Sequence, residues 1–446
     1  MNQKSKNFSR RKFIGDTAAI SAMGALGIGA VVSSCSRKPK YVAPVFQDKA
    51  PDGPVLKAGL VGCGGRGTGA ANNFLNAGPS LEIIALGDIF QDKLDSCRKE
   101  LRERHNVDIP DENCFLGFDA YQKVIDSGID VVLLCEPPHF RSRSFDYAVQ
   151  ARKHIFAEKP IAVDPVGVRS VMASGKMAES AGLNVAVGTQ RRHQRDYVKA
   201  FEMVKNGAIG EIISANCYWN QSTLWFTRWQ DGWCDMEAML RDWYNWHWLS
   251  GDHIVEQHIH NLDIINWFLE KHPVKAVGFG GRHSRPTGNQ YDFFSVDFSY
   301  DDGRHMHSMC RQMDNCTNNV SELIFGTKGY TNARNTIWDY KGNIIWEYDY
   351  PVGEDGQPGR NVSVSPYDQT HINLVMAIRT NNYINETQNI CKANMAAIMG
   401  RVSAYTGREV TWEEMMNSGM RLGPTTYEMG PVDVHRVHPV PGTSNV

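Results

Sequence analysis

Between residues 55 and 188 the hydrophobic pattern changes period repeatedly. Apolar runs at 55–61, 81–86, 129–134, 154–157 and 185–188 have the length of strands. Between them, 68–77 and a segment closing at 148–153 read as helices. Such strand–helix alternation predicts an α/β domain around a parallel sheet. From residue 274 the pattern is different. Runs at 274–280, 293–300, 305–312, 320–325, 330–332 and 343–348 read as strands without intervening helices. Asp301-Asp302-Gly303 is a hairpin signal, and Gly326-Thr327-Lys328-Gly329 is a second turn. Helical segments are expected at 368–380 and 389–405, and the Pro- and Gly-containing end of the chain reads as a wrapping tail. No internal repeat interrupts this order.

The first 55 residues fit neither pattern. Ser9-Arg10-Arg11-Lys12-Phe13-Ile14 resembles the twin-arginine export signal, and the apolar stretch after it is diluted by Asp16 and several glycines. A stable membrane helix needs about 20 predominantly apolar residues, so residues 1–34 read as a cleaved leader. Val32-Ser33-Ser34-Cys35 resembles a bacterial lipobox, with Cys35 as the lipidated first residue of the mature chain. The expectation is a periplasmic protein anchored through that lipid, the plainer alternative being an ordinary tail with a chance arginine pair. Residues 35–55, punctuated by Pro39, Pro44, Pro51 and Pro54, read as an extended linker.

Composition narrows the function classes. Hydrophobic residues make up 42% and charged residues 22%, as in an ordinary globular protein. The formal charge of −2 gives no basic excess for a nucleic-acid backbone to neutralise. Ten cysteines with no CxxC pair suggest neither a disulfide scaffold nor a structural zinc site.

The chemistry begins at the first strand. Gly62-Cys63-Gly64-Gly65-Arg66-Gly67 lies between that strand and a helix, which is the context a dinucleotide-binding turn requires. Gly62 permits the tight turn, Gly64 lets the backbone approach a pyrophosphate, and Gly67 allows close packing of the helix. Asp88, at the end of the second strand, stands where an acid would bind the adenosine ribose. Ile89 and Phe90 follow with no arginine for a 2′-phosphate, so NAD is expected rather than NADP. Further along come Glu136-Pro137-Pro138-His139 and Glu158-Lys159-Pro160.

With glycine turn, ribose acid and Glu-Lys-Pro in this order, the chain resembles the Gfo/Idh/MocA oxidoreductases over roughly residues 55–425. The resemblance implies a Rossmann domain at 56–188 and, at 189–425, an α+β domain with a large open-faced, mostly antiparallel sheet. It leaves 426–446 as the tail. It also implies homodimer or homotetramer packing through that sheet, and a role for Lys159 at both the nicotinamide ribose and the substrate hydroxyl. Candidate cofactor residues are Gly62, Gly64, Gly65, Arg66, Gly67, Asp88, Glu136, Pro137, His139, Glu158, Lys159 and Gln190. Arg191, Arg192 and His193 are candidates for the substrate mouth, ordinary solvated charges being the alternative.

In the second domain, Glu256 and His260 are four residues apart and would share one face of a helix. A carboxylate there could orient an imidazole for proton transfer near neutral pH. The family pattern D-x-x-x-H-x-x-D is matched at His260 and Asp263, while Glu256 replaces the first aspartate. Arg241 and Asp263 join the substrate candidates. A metal at Glu256, His258 and His260, or at His305 and His307, is the weaker alternative, because a regular helix points His258 away from His260. Seven of the 11 tryptophans fall between residues 219 and 248. Most are expected to pack structurally, with one or two facing a sugar.

Three functional readings follow. One is an NAD-dependent dehydrogenase acting on a secondary hydroxyl of a sugar or glycoside, with His260 as base and Lys159 assisting. The second is a redox-neutral glycosidase, as in the related glycoside hydrolase family 109, with the cofactor recycled in place. The third is a non-catalytic binding lipoprotein, against which intact Lys159 and His260 speak.

Overall fold

The computed structural model describes residues 40–353, 356–359 and 363–443. The expected leader, with Arg10, Arg11 and Cys35, lies outside the described residues. Two sheets organise the rest.

The first contains β1 (Leu56–Val61), β2 (Leu81–Asp88), β3 (Cys114–Leu116), β4 (Val131–Leu134), β5 (His154–Ala157) and β6 (Val185–Val187), in the order β3-β2-β1-β4-β5-β6. All its pairings are parallel. Ala58, Leu60, Val131 and Leu133 are fully enclosed, as expected of strands with helices on both faces. The order reverses between β1 and β4, so their C-terminal ends open a crevice of the kind in which α/β sheets bind ligands. The three-residue β3 was not expected from the sequence. It is too short to carry a period.

The second sheet contains β7 (Ile212–Gln221), β8 (Lys275–Gly281), β9 (Phe293–Ser299), β10 (His305–Gln312), β11 (Asn319–Gly326), β12 (Gly329–Thr331), β13 (Thr336–Asp339), β14 (Ile344–Glu347) and β15 (Val410–Thr411). Its order is β14-β13-β12-β11-β7-β10-β9-β8-β15, antiparallel except where β7 lies parallel to β10. Beneath it lies the helix Thr387–Thr406, most of whose residues are buried. On the opposite face Val277, Phe279 and Met309 remain exposed. The middle strand β7 was not expected from the sequence, because only Ala215 and Cys217 along it are buried and the apolar contrast is weak.

Two placements differ from the sequence-based division. Helix Pro366–Thr380, assigned to the second domain, packs Ile372, Leu374 and Val375 against Leu60, Phe74 and Phe156 of the nucleotide-domain core. Residues 41–55 lack regular structure but lie along the body. Tyr41 meets Phe201 edge-on at 5.3 Å, and the buried Ala50 donates its N–H to Ala77 O at 2.8 Å. The tail is also tied down, since Tyr291 donates its hydroxyl to Pro439 O at 2.8 Å and Val432 is buried. The nine described cysteines are unpaired thiols. Among the described residues, no helix is long and apolar enough to cross a membrane.

Candidate functional site

The crevice is built first by what the glycine turn lacks. Gly62 has φ +90°, and a Cβ there would lie 2.5 Å from Glu136 N. A Cβ on Gly67 would lie 1.7 Å from Gly62 O, so only glycine lets the helix Gly65–Asn76 start so close to β1. Gly64 and Gly65 face open space instead. Their backbone amides at the helix N-terminus form a ready anion site. Asp88 is fixed at both oxygens, Oδ2 accepting from Cys63 N at 2.6 Å and Oδ1 from Phe90 N at 2.9 Å. Burial raises its pKa.

Glu136 is buried with both carboxylate oxygens lacking a hydrogen-bond partner, and burial raises its pKa too. It lines a cavity of about 680 Å³ together with Gly62, Gly64, Gly65, Arg66, Gly67, Asp88 and Pro137. That cavity borders the helix N-terminus, whose leading amides suit an anion. With the open amides and Asp88, it fits the pyrophosphate and ribose hydroxyls of a dinucleotide.

Lys159, Glu256 and His260 are brought together from two distant segments. Lys159 follows β5, in a cis peptide with Pro160. Its ammonium donates to Glu256 O at 2.5 Å and Glu256 Oε1 at 2.7 Å. Arg66 Nε donates to Glu158 Oε1 at 2.5 Å, tying the glycine turn to the same Glu-Lys-Pro segment. Burial works to raise the Glu158 pKa, but the charges of Arg66 and Lys159 outweigh it and hold the carboxylate ionised.

The expected continuous helix through Glu256 and His260 is broken. It runs His253–Glu256, turns at Gln257 and His258, and resumes at Ile259–Leu269. The break sends the Glu256 carboxylate to Lys159, replacing the expected carboxylate–imidazole pair. The His260 ring stacks on Trp219 with centroids 5.7 Å apart, and its Nδ1 is enclosed without a partner. Burial, reinforced by the positive charges of Lys159 and Arg191, pushes its pKa well below the usual histidine value. At physiological pH His260 is therefore a neutral imidazole. Trp219 was one of seven clustered tryptophans in the sequence, and nothing local distinguished it.

This architecture agrees with known proteins. The model of an oxidoreductase family with an NAD-binding Rossmann fold matches residues 56–189, and that of the Gfo/Idh/MocA C-terminal domain matches 197–332. The chain belongs to the Gfo/Idh/MocA family. It is 28% identical over 156 residues to a myo-inositol 2-dehydrogenase of Thermotoga maritima, covering 35% of this chain and 42% of that one. A glycosyl hydrolase family 109 protein of Phocaeicola vulgatus is 26% identical over 206 residues, covering 46% of this chain and 36% of the relative. The first three curated relatives are matched over 42% to 55% of their own length. Among solved structures, an aldose-aldose oxidoreductase from Caulobacter crescentus superposes with TM-score 0.62 at 18% identity. That match covers 80% of this chain and 99% of the other.

Against this Gfo/Idh/MocA frame, several candidate residues hold the pocket's walls in place. Arg191 is ion-paired with the buried Glu322, and its guanidinium lies 5.2 Å from the Trp219 ring centroid. Arg192 grips Asp263 through two bonds of 2.7 and 2.8 Å. His193 faces Glu386 at 3.0 Å and Asn373 at 2.8 Å. All of these are buried or largely buried, so the alternative of ordinary solvated charges does not hold. Gln190 donates to the Tyr367 hydroxyl at 3.3 Å, leaving Oε1 enclosed without a partner.

Two candidates lie elsewhere. His139 points away from the cavity, bonding the Tyr427 hydroxyl at 2.7 Å and meeting Trp248 edge-on, and burial brings its pKa to about 3. Arg241 lines the nucleotide cavity, between Asp92 and Glu237, away from Lys159 and His260 in the contacts it makes. Among the other histidines, His258 is a core residue bonded to Ser308 Oγ at 2.6 Å, its pKa lowered by burial to about 3. His305 and His307 are exposed on β10, against Asp297 and Ser295. Among the described residues, no group of three or more His, Cys, Asp or Glu is placed to hold a metal.

Proposed function

We propose that this chain oxidises a secondary hydroxyl of a sugar, glycoside or cyclitol, using NAD held in the Rossmann crevice. The observation that carries the reading is a buried, neutral His260 close enough to Lys159 for the ammonium charge to depress its pKa. Of the two ring nitrogens, Nδ1 is enclosed, which leaves Nε2 to meet the substrate. There the imidazole takes the hydroxyl proton as general base. The Lys159 ammonium, pinned by Glu256, stabilises the developing alkoxide and helps set its orientation. Bound NAD supplies the acceptor for the hydride from the same carbon, leaving a ketone. The names of the matched relatives, an inositol dehydrogenase and an aldose oxidoreductase, support a polyhydroxylated substrate.

The N-terminal motif supports export of the folded, cofactor-loaded protein to the periplasm and attachment through Cys35. Free NAD is scarce outside the cytoplasm, which favours a cofactor that stays bound. The test is mass spectrometry of products from a panel of sugars, glycosides and inositols, using protein purified with its own nucleotide. Product lighter by two hydrogens, in amounts matching the bound nucleotide, is expected. Released aglycone over many turnovers would overturn the dehydrogenase reading in favour of a redox-neutral glycosidase.

A further inference from the structure

The tryptophan-rich segment carries an unexpected assignment. Its side chains Trp225, Trp233 and Trp243 line the nucleotide cavity from the second domain, opposite Asp88 and Phe90 of the first. The segment is fixed in place, with Thr227 N donating to Asp242 Oδ1 at 2.7 Å and Trp225 packing on Trp243 at 5.8 Å. Across the gap, the Arg241 guanidinium stacks 4.0 Å from the Phe90 ring centroid and 5.2 Å from that of Trp233. The same guanidinium bonds Asp92 at 3.1 Å, at the start of the helix that follows β2. Two domains thus meet at one cation over the end of the crevice marked by Asp88.

We propose that Trp225, Trp233 and Trp243 form a second, aromatic wall for the adenosine half of the dinucleotide, latched to the first domain through Arg241. The inference rests on the dinucleotide reading of the crevice and goes beyond it, assigning to the second domain control of cofactor exchange. A flat purine is recognised by indole faces through burial and stacking. Glu237, at 2.9 Å, and Asp92 together balance the Arg241 charge, so the latch offers no spare cation to a 2′-phosphate. With the wall closed, the nucleotide leaves only when Arg241 lets go of Phe90 and Asp92. Its dissociation is then slow compared with turnover.

The full chain is loaded with NADH, and the bound cofactor is followed by energy transfer from tryptophan after a chase with excess NAD. Arg241→Gln, which removes both stacking and ion pair, is expected to speed release about tenfold. Asp92→Asn, on the other domain, removes only a partly exposed ion pair and is expected to speed it about threefold. If the latch is real, the double variant releases NADH no faster than Arg241→Gln alone. Phe226→Ala, exposed in the same segment and outside the cavity, should release it like the wild type. Unchanged release in both Arg241→Gln and Asp92→Asn, with circular dichroism matching the wild type, overturns the latch. Additive effects in the double variant also overturn it. A wild-type chain that takes up no NADH would instead overturn the dinucleotide reading itself.

Discussion

The nucleotide crevice and the cluster around Lys159 and His260 are joined through the Glu-Lys-Pro segment, where Arg66 bonds Glu158 and Lys159 bonds Glu256, yet they are specified in different ways. The crevice depends on backbone that must come close: at Gly67 a single added carbon would sit 1.7 Å from Gly62 O. Burial pushes up the pKa of its carboxyls, Asp88 and Glu136, and the amides at the helix N-terminus face open space at Gly64 and Gly65. In the cluster nearly every charge is already answered from within the chain, Lys159 by Glu256, Arg191 by Glu322 and Arg192 by Asp263. The exception is His260, which burial keeps neutral. A binding crevice can leave groups unsatisfied until its ligand arrives. A pocket that moves protons must fix its charges beforehand, because an unpaired buried charge is costly and preorganised dipoles carry the rate.

That contrast can be broken at several points. The largest effect is expected from His260→Ala and Lys159→Ala, each lowering turnover by about 10²–10⁴-fold. His260→Ala should leave NAD affinity, read by titration, within a few-fold of the wild type. Loss of nucleotide in the His260 variant would show that the two regions are not separable. Next comes the glycine turn. Gly67→Ala should destabilise the fold by about 3 kcal/mol through overpacking, measured by urea unfolding. Gly65→Ala, facing open space, should leave stability within about 0.5 kcal/mol.

Glu256→Gln keeps a carbonyl acceptor for Lys159 but removes the charge. It should lower kcat about tenfold with little change in nucleotide affinity; an unchanged kcat would remove Glu256 from the pocket's working set. The smallest effect concerns His371, buried in the nucleotide domain 4.2 Å from the Phe156 ring centroid with neither ring nitrogen bonded. Burial lowers its pKa well below the usual value. Between that lowered value and about 6.5 the unfolded chain binds a proton that the folded chain refuses, so this contribution to stability falls as the pH falls. His371→Leu lacks that penalty. Its stability relative to the wild type should therefore improve by up to about 1.4 kcal/mol per pH unit below 6.5, checked by urea unfolding at several pH values.

Much of the nucleotide domain was legible because its signals are local. Strand, glycine turn and helix follow one another within about twenty residues, and each obeys a backbone rule. The second domain was legible only in part. Its hairpins announce themselves by turn residues, whereas β7 is placed by pairing with β10 and β11, neighbours roughly a hundred residues away in sequence. His260 could be found because its type and surroundings repeat a family pattern. The partner of Glu256 could not. Spacing of four implies a shared helix face only if the helix is unbroken, and the turn at Gln257 and His258 breaks it. The surroundings of Arg241 and the tryptophans were not legible for a related reason, since composition shows that aromatic side chains cluster but not which cavity they border.

By itself, then, the sequence determined the α/β nucleotide domain and the place of the dinucleotide turn, and it singled out Lys159 and His260 as candidates. These follow from periodicity, from steric limits on the backbone, and from motifs whose parts lie close together. Tertiary structure alone decided that Glu256 answers Lys159, that His260 is held neutral, and that Trp225, Trp233 and Trp243 line the crevice. Each of those depends on burial and on distances between residues far apart in the chain, which only packing can set.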